Sequence, residues 1–107
     1  MRLVIDTSPV TFHVSKEPAP KVDRDTGQQR TDRDTGGLLW TVQLIAMDPV
    51  EGAEVINVTV AGEAPKVNVG QPARVEGLQA IPWQSNNGGV KVAYRAAVIA
   101  PVASKAA

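Results

Sequence analysis

The sequence predicts an all-β fold: a small five-stranded antiparallel barrel carrying one extended β-hairpin wing. Three observations predict it. Apolar residues recur with period two in several segments, and no segment longer than a few residues shows the 3.6-residue period of an amphipathic helix. Valine is abundant and leucine scarce, a balance suited to pleated, half-buried surfaces. Eight prolines and nine glycines cut the 107 residues into short stretches, as many short strands with tight reversals require.

Arg2–Asp6 reads as a short apolar strand. Val10, Phe12 and Val14 alternate with Thr11 and His13 in a second run, and Pro9 separates or bulges the two. Pro18 and Pro20 then break the pairing. The pentapeptide Asp-Arg-Asp-Thr-Gly occurs twice, at Asp23–Gly27 and Asp32–Gly36. It lies in the wing, residues 17–39, whose stretch 21–37 reads as a charge-dense hairpin arm that buries nothing and is flexible unless bound. Two type I turns with glycine ends, or the matched strands of one arm, would account for the repeat.

Leu38–Met47 is the clearest strand, with Trp40, Val42, Leu44 and Ala46 on one face. Asp48–Gly52 is a turn. The next strand, Glu54–Ala61, points Ile56, Val58 and Val60 at the core. Residues 62–65 form a short connection with room for one helical turn at most. In Gln71–Ile81, Ala73 and Val75 point one way and Leu78 and Ala80 fall out of phase, so a bulge at Gly77 bends the strand as a small barrel requires. Pro82–Gly89 is a loop whose Asn86-Asn87-Gly88-Gly89 suits a tight reversal. The last strand, Val90–Ile99, turns Val90, Val92, Tyr94, Ala96 and Val98 inward and Lys91, Ala93, Arg95 and Ala97 outward. Residues 1–100 form one domain, and 101–107 are expected to be a disordered tail. Closing such strands hides edges that an open sheet would expose, which is the OB-type arrangement.

Composition narrows the function. There is no cysteine, so disulfides, thiol catalysis and thiolate metal sites are excluded. No apolar run approaches the ~20 residues that span a bilayer, so no membrane partner is expected. Asp6 interrupts the start of the chain where a signal peptide would be apolar, which points to the cytoplasm. His13 is the only histidine and has no catalytic constellation around it, and no phosphate-cradling glycine loop occurs. The chain therefore reads as no enzyme, with no cofactor and no small-molecule substrate. The Asp-x-Asp pairs lack the remaining ligands of a calcium loop, so no metal is expected. Net charge is zero but unevenly spread: residues 47–65 sum to minus four and residues 66–107 to plus four. The carboxyl-terminal part can thus present a basic face.

The order of features resembles the filamentous-phage single-stranded DNA-binding (helix-destabilising) proteins and their relatives on actinobacterial plasmids and integrative elements. The resemblance runs roughly over residues 10–101. It rests on the wing ending in Gly37-Leu38-Leu39-Trp40-Thr41-Val42-Gln43, the Val-rich strand 55–60, Gly70-Gln71-Pro72, and the terminal strand closing at Pro101. It implies an OB fold, a homodimer, single-stranded DNA as partner, and service in replication or transfer of a mobile element. It also implies a stacking role for an aromatic residue at the start of the strand after the wing, where Trp40 stands.

Proteins of this kind need rings that stack on unpaired bases and a basic groove that follows phosphates. Trp40 and Trp83 are the candidate rings, the first sharing a face with core residues and the second in a polar loop. Lys91 and Arg95 share one strand face, with Arg74 as a third cation for the same phosphate track. In the wing, Lys21 and Arg30 are the candidate phosphate contacts, because local aspartates can silence Arg24 and Arg33. Net neutrality equally suits a different class, a protein-interaction or assembly module. Binding of double-stranded DNA is a weaker third reading, since no recognition helix is visible.

Overall fold

Alternation along the chain resolves into nine strands and no helix among residues 2–102, the residues that the computed structural model describes. They are β1 (Leu3–Val4), β2 (Thr11–Val14), β3 (Ala19–Pro20), β4 (Leu39–Asp48), β5 (Gly52–Ala61), β6 (Pro72–Glu76), β7 (Gln79–Gln84), β8 (Val90–Arg95) and β9 (Val98–Pro101). The fold is all-β, as the sequence predicts, and the strands make one strongly curled, barrel-like sheet. The expected count of five is corrected to nine. Expected runs break where the chain bulges, at residues 5–10, at Gly77-Leu78 and at Ala96-Ala97, and the wing contributes β3.

The sheet order is β1-β7-β8-β5-β4-β2-β6-β9, with β3 pairing β4 off this path. All neighbours are antiparallel except β5 and β8, which run parallel with Val58 opposite Tyr94 and Thr59 opposite Arg95. The longest ladder joins β4 to β5, from Leu39 opposite Ala61 to Asp48 opposite Gly52. Asp48 closes its turn: Oδ1 accepts the Val50 amide at 2.7 Å and the Glu51 amide at 3.0 Å. Those two bonds, the Glu51 one foremost, hold the Asp48 carboxyl below its ordinary pKa.

Leu44, Val14, Val42 and Val58 are fully buried at the centre of the core, which Phe12, Val75 and Leu78 extend. Beyond Tyr94 the β7–β8 hairpin leaves the core behind, because β8 meets β5 only at Tyr94 and Arg95. Val90 and Val92, expected to face inward, are therefore exposed. The break at Ala96-Ala97 also reverses the alternation: Ile99 is buried and Val98, expected inside, reaches the surface. Pro101 belongs to β9 opposite Ala73, and the expected tail residues 103–107 lie outside the described residues. The connection 62–71 holds no helical turn. No helix among the described residues is long and apolar enough to cross a membrane.

The bend at Gly77 depends on glycine twice over. Its φ is +66°, and a Cβ there would lie 3.0 Å from the Ala97 Cβ. Gly77→Ala is expected to lower the unfolding free energy by about 1–3 kcal/mol, since a non-glycine residue would be strained there and Ala97 would have to shift. A reduced urea midpoint with an unchanged denaturant slope is the result that checks it.

Candidate nucleic-acid interface

The wing is not one long arm. Two nine-residue units, 21–29 and 30–38, each begin with a cation and fold into the same turn. In the first, the Asp23 amide donates to the Gln28 carbonyl and the Gly27 amide to the Asp23 carbonyl, both at 2.8 Å. In the second, Asp32 donates to Gly37 and Gly36 donates to Asp32, again at 2.8 Å. Gly27 and Gly36 have φ of +72° and +73°, the left-handed conformation that lets each pentapeptide end in glycine. Thr26 and Thr35 hydroxyls accept equivalent amides two residues on, from Gln28 and Gly37, at 3.2 Å.

The units meet in a closed ring of three backbone bonds. The Lys21 amide donates to the Leu39 carbonyl at 3.0 Å, Arg30 to Lys21 at 2.7 Å, and Leu39 to Arg30 at 2.9 Å. Lys21 and Arg30 therefore occupy equivalent ring positions, and the third is taken by the buried Leu39. The nine-residue spacing, extended two residues upstream of each pentapeptide, is the sequence signal for this arrangement.

Around the ring the cations converge. Lys21 is half-buried, and its Nζ donates to the Thr59 Oγ1 at 3.1 Å. Burial lowers its pKa, and the charges of Arg30 and Arg95 push the same way. Arg95 stands opposite Thr59 in the parallel pair, so β5, β8 and the wing meet here. Its Nη2 lies 3.1 Å from Asp32 Oδ1. Asp32 is only 8 % exposed, and its Oδ2 accepts the Thr35 hydroxyl at 3.0 Å. The Thr35 bond first, and Arg95 after it, hold the Asp32 carboxyl below its ordinary pKa. Beside this pair opens a cleft of about 340 Å³ lined by Arg2, Arg30, Arg33 and Arg95 with Asp32 and Asp34. The sequence points to neither Arg2 nor Asp32 as a site residue, and the aspartates beside Arg33 count against it there. Their meeting joins segments far apart in the chain and leaves no local pattern.

Trp83 is in β7, not in a loop, because pairing continues past Pro82 to Gln84 opposite Val90. It is 48 % exposed and stands opposite Lys91, whose Nζ lies 5.8 Å from the ring centroid, within cation–π range. The register puts Trp83 and Lys91 on the same face as Ile81 and Ala93 and, further down, Gln79 and Arg95. Lys91 and Arg95 are four residues apart, roughly 13 Å along the strand.

Trp40 and Arg74 fall elsewhere. Trp40 is half-buried, packed against the core, and donates its indole Nε1–H to the Gly62 carbonyl at 2.9 Å. It covers the edge of the core rather than offering a free ring. Arg74 is ion-paired to Glu76 and stands opposite Ala100, on the far side of the Gly77 bend from Arg95. The structure thus gathers Lys21, Arg30 and Arg95 at the wing, sets Lys91 and Trp83 on the same strand face as Arg95, and leaves Trp40 and Arg74 apart. No protein-family model matches the chain, and no curated protein sequence matches it.

Proposed function

We propose that the chain is a non-catalytic single-stranded nucleic-acid binding protein. One observation carries the reading: a half-exposed tryptophan with a lysine against its ring shares a strand face with the arginine of a basic cleft. Bases stack on Trp83, and the adjoining phosphates follow Lys91 towards Arg95, Arg30 and Arg2.

The same proposal groups eight of the nine strands into the five bent runs of an OB barrel: β1 with β2, then β4, β5, β6 with β7, and β8 with β9, with β3 left to the wing. Chain continuity from β6 into β7 then closes a ring of neighbours, with the parallel β5–β8 pair as its one parallel seam. OB folds bind strands between the loop after the first strand and the loop after the fourth. In this chain those are the wing and the β7–β8 turn, where the cleft and Trp83 lie. A homodimer and service to a mobile element belong to the proposal through the resemblance alone, and a cytoplasmic setting through the reading of the first residues.

An anisotropy titration against oligo-dT tests it. Three or four neutralised phosphates, at about 0.7 each for a single strand, give a log–log salt slope of roughly −2 to −3. No binding at low salt with protein on the order of 100 μM would remove the reading. The alternative, a protein-interaction module, is carried by Val90 and Val92, exposed on a strand whose outer edge pairs with nothing before Tyr94 among the described residues.

A further inference from the structure

The two copies of the pentapeptide share a sequence and a turn but not an environment. In the first, the Asp23 carboxylate accepts the Asp25 amide at 2.8 Å and is exposed. In the second, Asp32 is buried, held by the Thr35 hydroxyl and by Arg95. The turn forms without an ion pair in the first copy, so the Asp32–Arg95 pair is not needed to make it. What differs is the surroundings. Asp32 sits where Arg2, Arg30, Arg33 and Arg95 line one cleft, and Lys21 is near enough to Arg30 and Arg95 to feel their charge.

The pair also borders a second cleft, of about 330 Å³, which reaches Gln79 and the Gly77 bend, so Asp32 and Arg95 line both. Asp32 meets Arg95 through one carboxylate oxygen, the place that a free oxygen of a phosphodiester can take at a guanidinium.

We propose that Asp32 is a built-in counter-anion in the phosphate seat of Arg95, and that it restricts the cleft to ligands presenting several phosphates in a row. This rests on the nucleic-acid reading above. A tethered carboxylate acts at a high effective concentration, in the millimolar range or above, so a free phosphate ion competes poorly for Arg95. A strand already held at Trp83 and Lys91 delivers its next phosphates with the same advantage. It displaces Asp32 and joins the two clefts into one groove. Asp32 is thus a specificity-determining residue that selects polymer over ion.

Asp32→Asn and Asp23→Asn each remove one negative charge from the same position of the same turn. Oligo-dT anisotropy is measured for both and for the unmodified chain, with inorganic phosphate as competitor and thermal midpoints recorded. D32N is expected to bind about three- to tenfold tighter, with a salt slope steeper by about 0.7, and to become sensitive to millimolar phosphate. D23N is expected to match the unmodified chain. Equal shifts in the two variants would reduce the effect to overall charge and overturn the proposal, as would weaker binding by D32N. Should D32N not fold, Asp32→Ser, which also removes the carboxylate but keeps a short side-chain oxygen in the turn, is expected to move binding the same way. No change in that variant overturns the proposal. A readout without nucleic acid separates this inference from the reading beneath it: the Arg95 side-chain NH signals followed by NMR during a pyrophosphate titration. They are expected to respond in D32N and hardly at all in the unmodified chain. Silence in both overturns the counter-anion whatever oligo-dT does, and absent oligo-dT binding with a D32N pyrophosphate response overturns only the nucleic-acid reading.

Discussion

Leu44→Ala is expected to lower the unfolding free energy by about 2–5 kcal/mol, the range for a buried leucine whose cavity cannot fully collapse. Leu44 is 0 % exposed and sits mid-sheet, opposite Ile56 on β5 and Val14 on β2. Both neighbouring strands are held by continuous pairing, so neither can move in to fill the space. A domain of this size has roughly 5–15 kcal/mol in hand, so the loss is a large share of it. Urea denaturation checks the value, and Val90→Ala is the internal control. Val90 is 73 % exposed, and its truncation is expected to stay within about 0.5 kcal/mol. A Leu44 effect as small as the Val90 one would mean that β2, β4 and β5 do not enclose a common core.

Trp83→Ala is expected to weaken oligo-dT binding by about 1–3 kcal/mol, roughly five- to 150-fold, with little change in thermal midpoint. Half of the ring is already in water, so its removal leaves no internal cavity. Trp83→Phe keeps a flat face and is expected to recover most of the affinity. Trp40→Phe is expected to do the opposite: it removes the indole donor to Gly62 and reduces stability, while binding stays close to that of the unmodified chain. Oligo-dT titration and thermal melting of the three variants separate the two tryptophans. Loss of binding on Trp40→Phe with none on Trp83→Ala would move the stacking site to the start of β4.

The β4–β5 half of the molecule was legible in the chain because one face of each strand is buried along most of its length. Val42 and Leu44, and Ile56, Val58 and Val60, alternate without interruption and are the residues that the structure buries. The bend at Gly77 was legible for the same reason, as a slip in alternation. The far end of β8 was not: Val90 and Val92 continue the pattern of Tyr94, but nothing in the pattern records that the hairpin has run past its partner strand. Pro82 disguised the strand that carries Trp83, although it pairs there with Val92. In the site, Lys91 and Arg95 were readable as one face from their spacing. The gathering of Lys21, Arg30 and Arg95 was not, because it depends on a backbone ring in the wing and a parallel contact between β5 and β8. Neither leaves a mark on hydrophobic periodicity.

The backbone ring also governs how this region of the chain can change. Each of its three members gives up an amide hydrogen, so proline is shut out of positions 21, 30 and 39. Between those positions the constraint relaxes, because the ring senses only where each turn enters and leaves. Residues inserted at the tips, near Thr26 or Thr35, leave the three bonds untouched. The region is a fixed hub with two exchangeable spokes, and differences in length among chains built this way belong at the spoke ends.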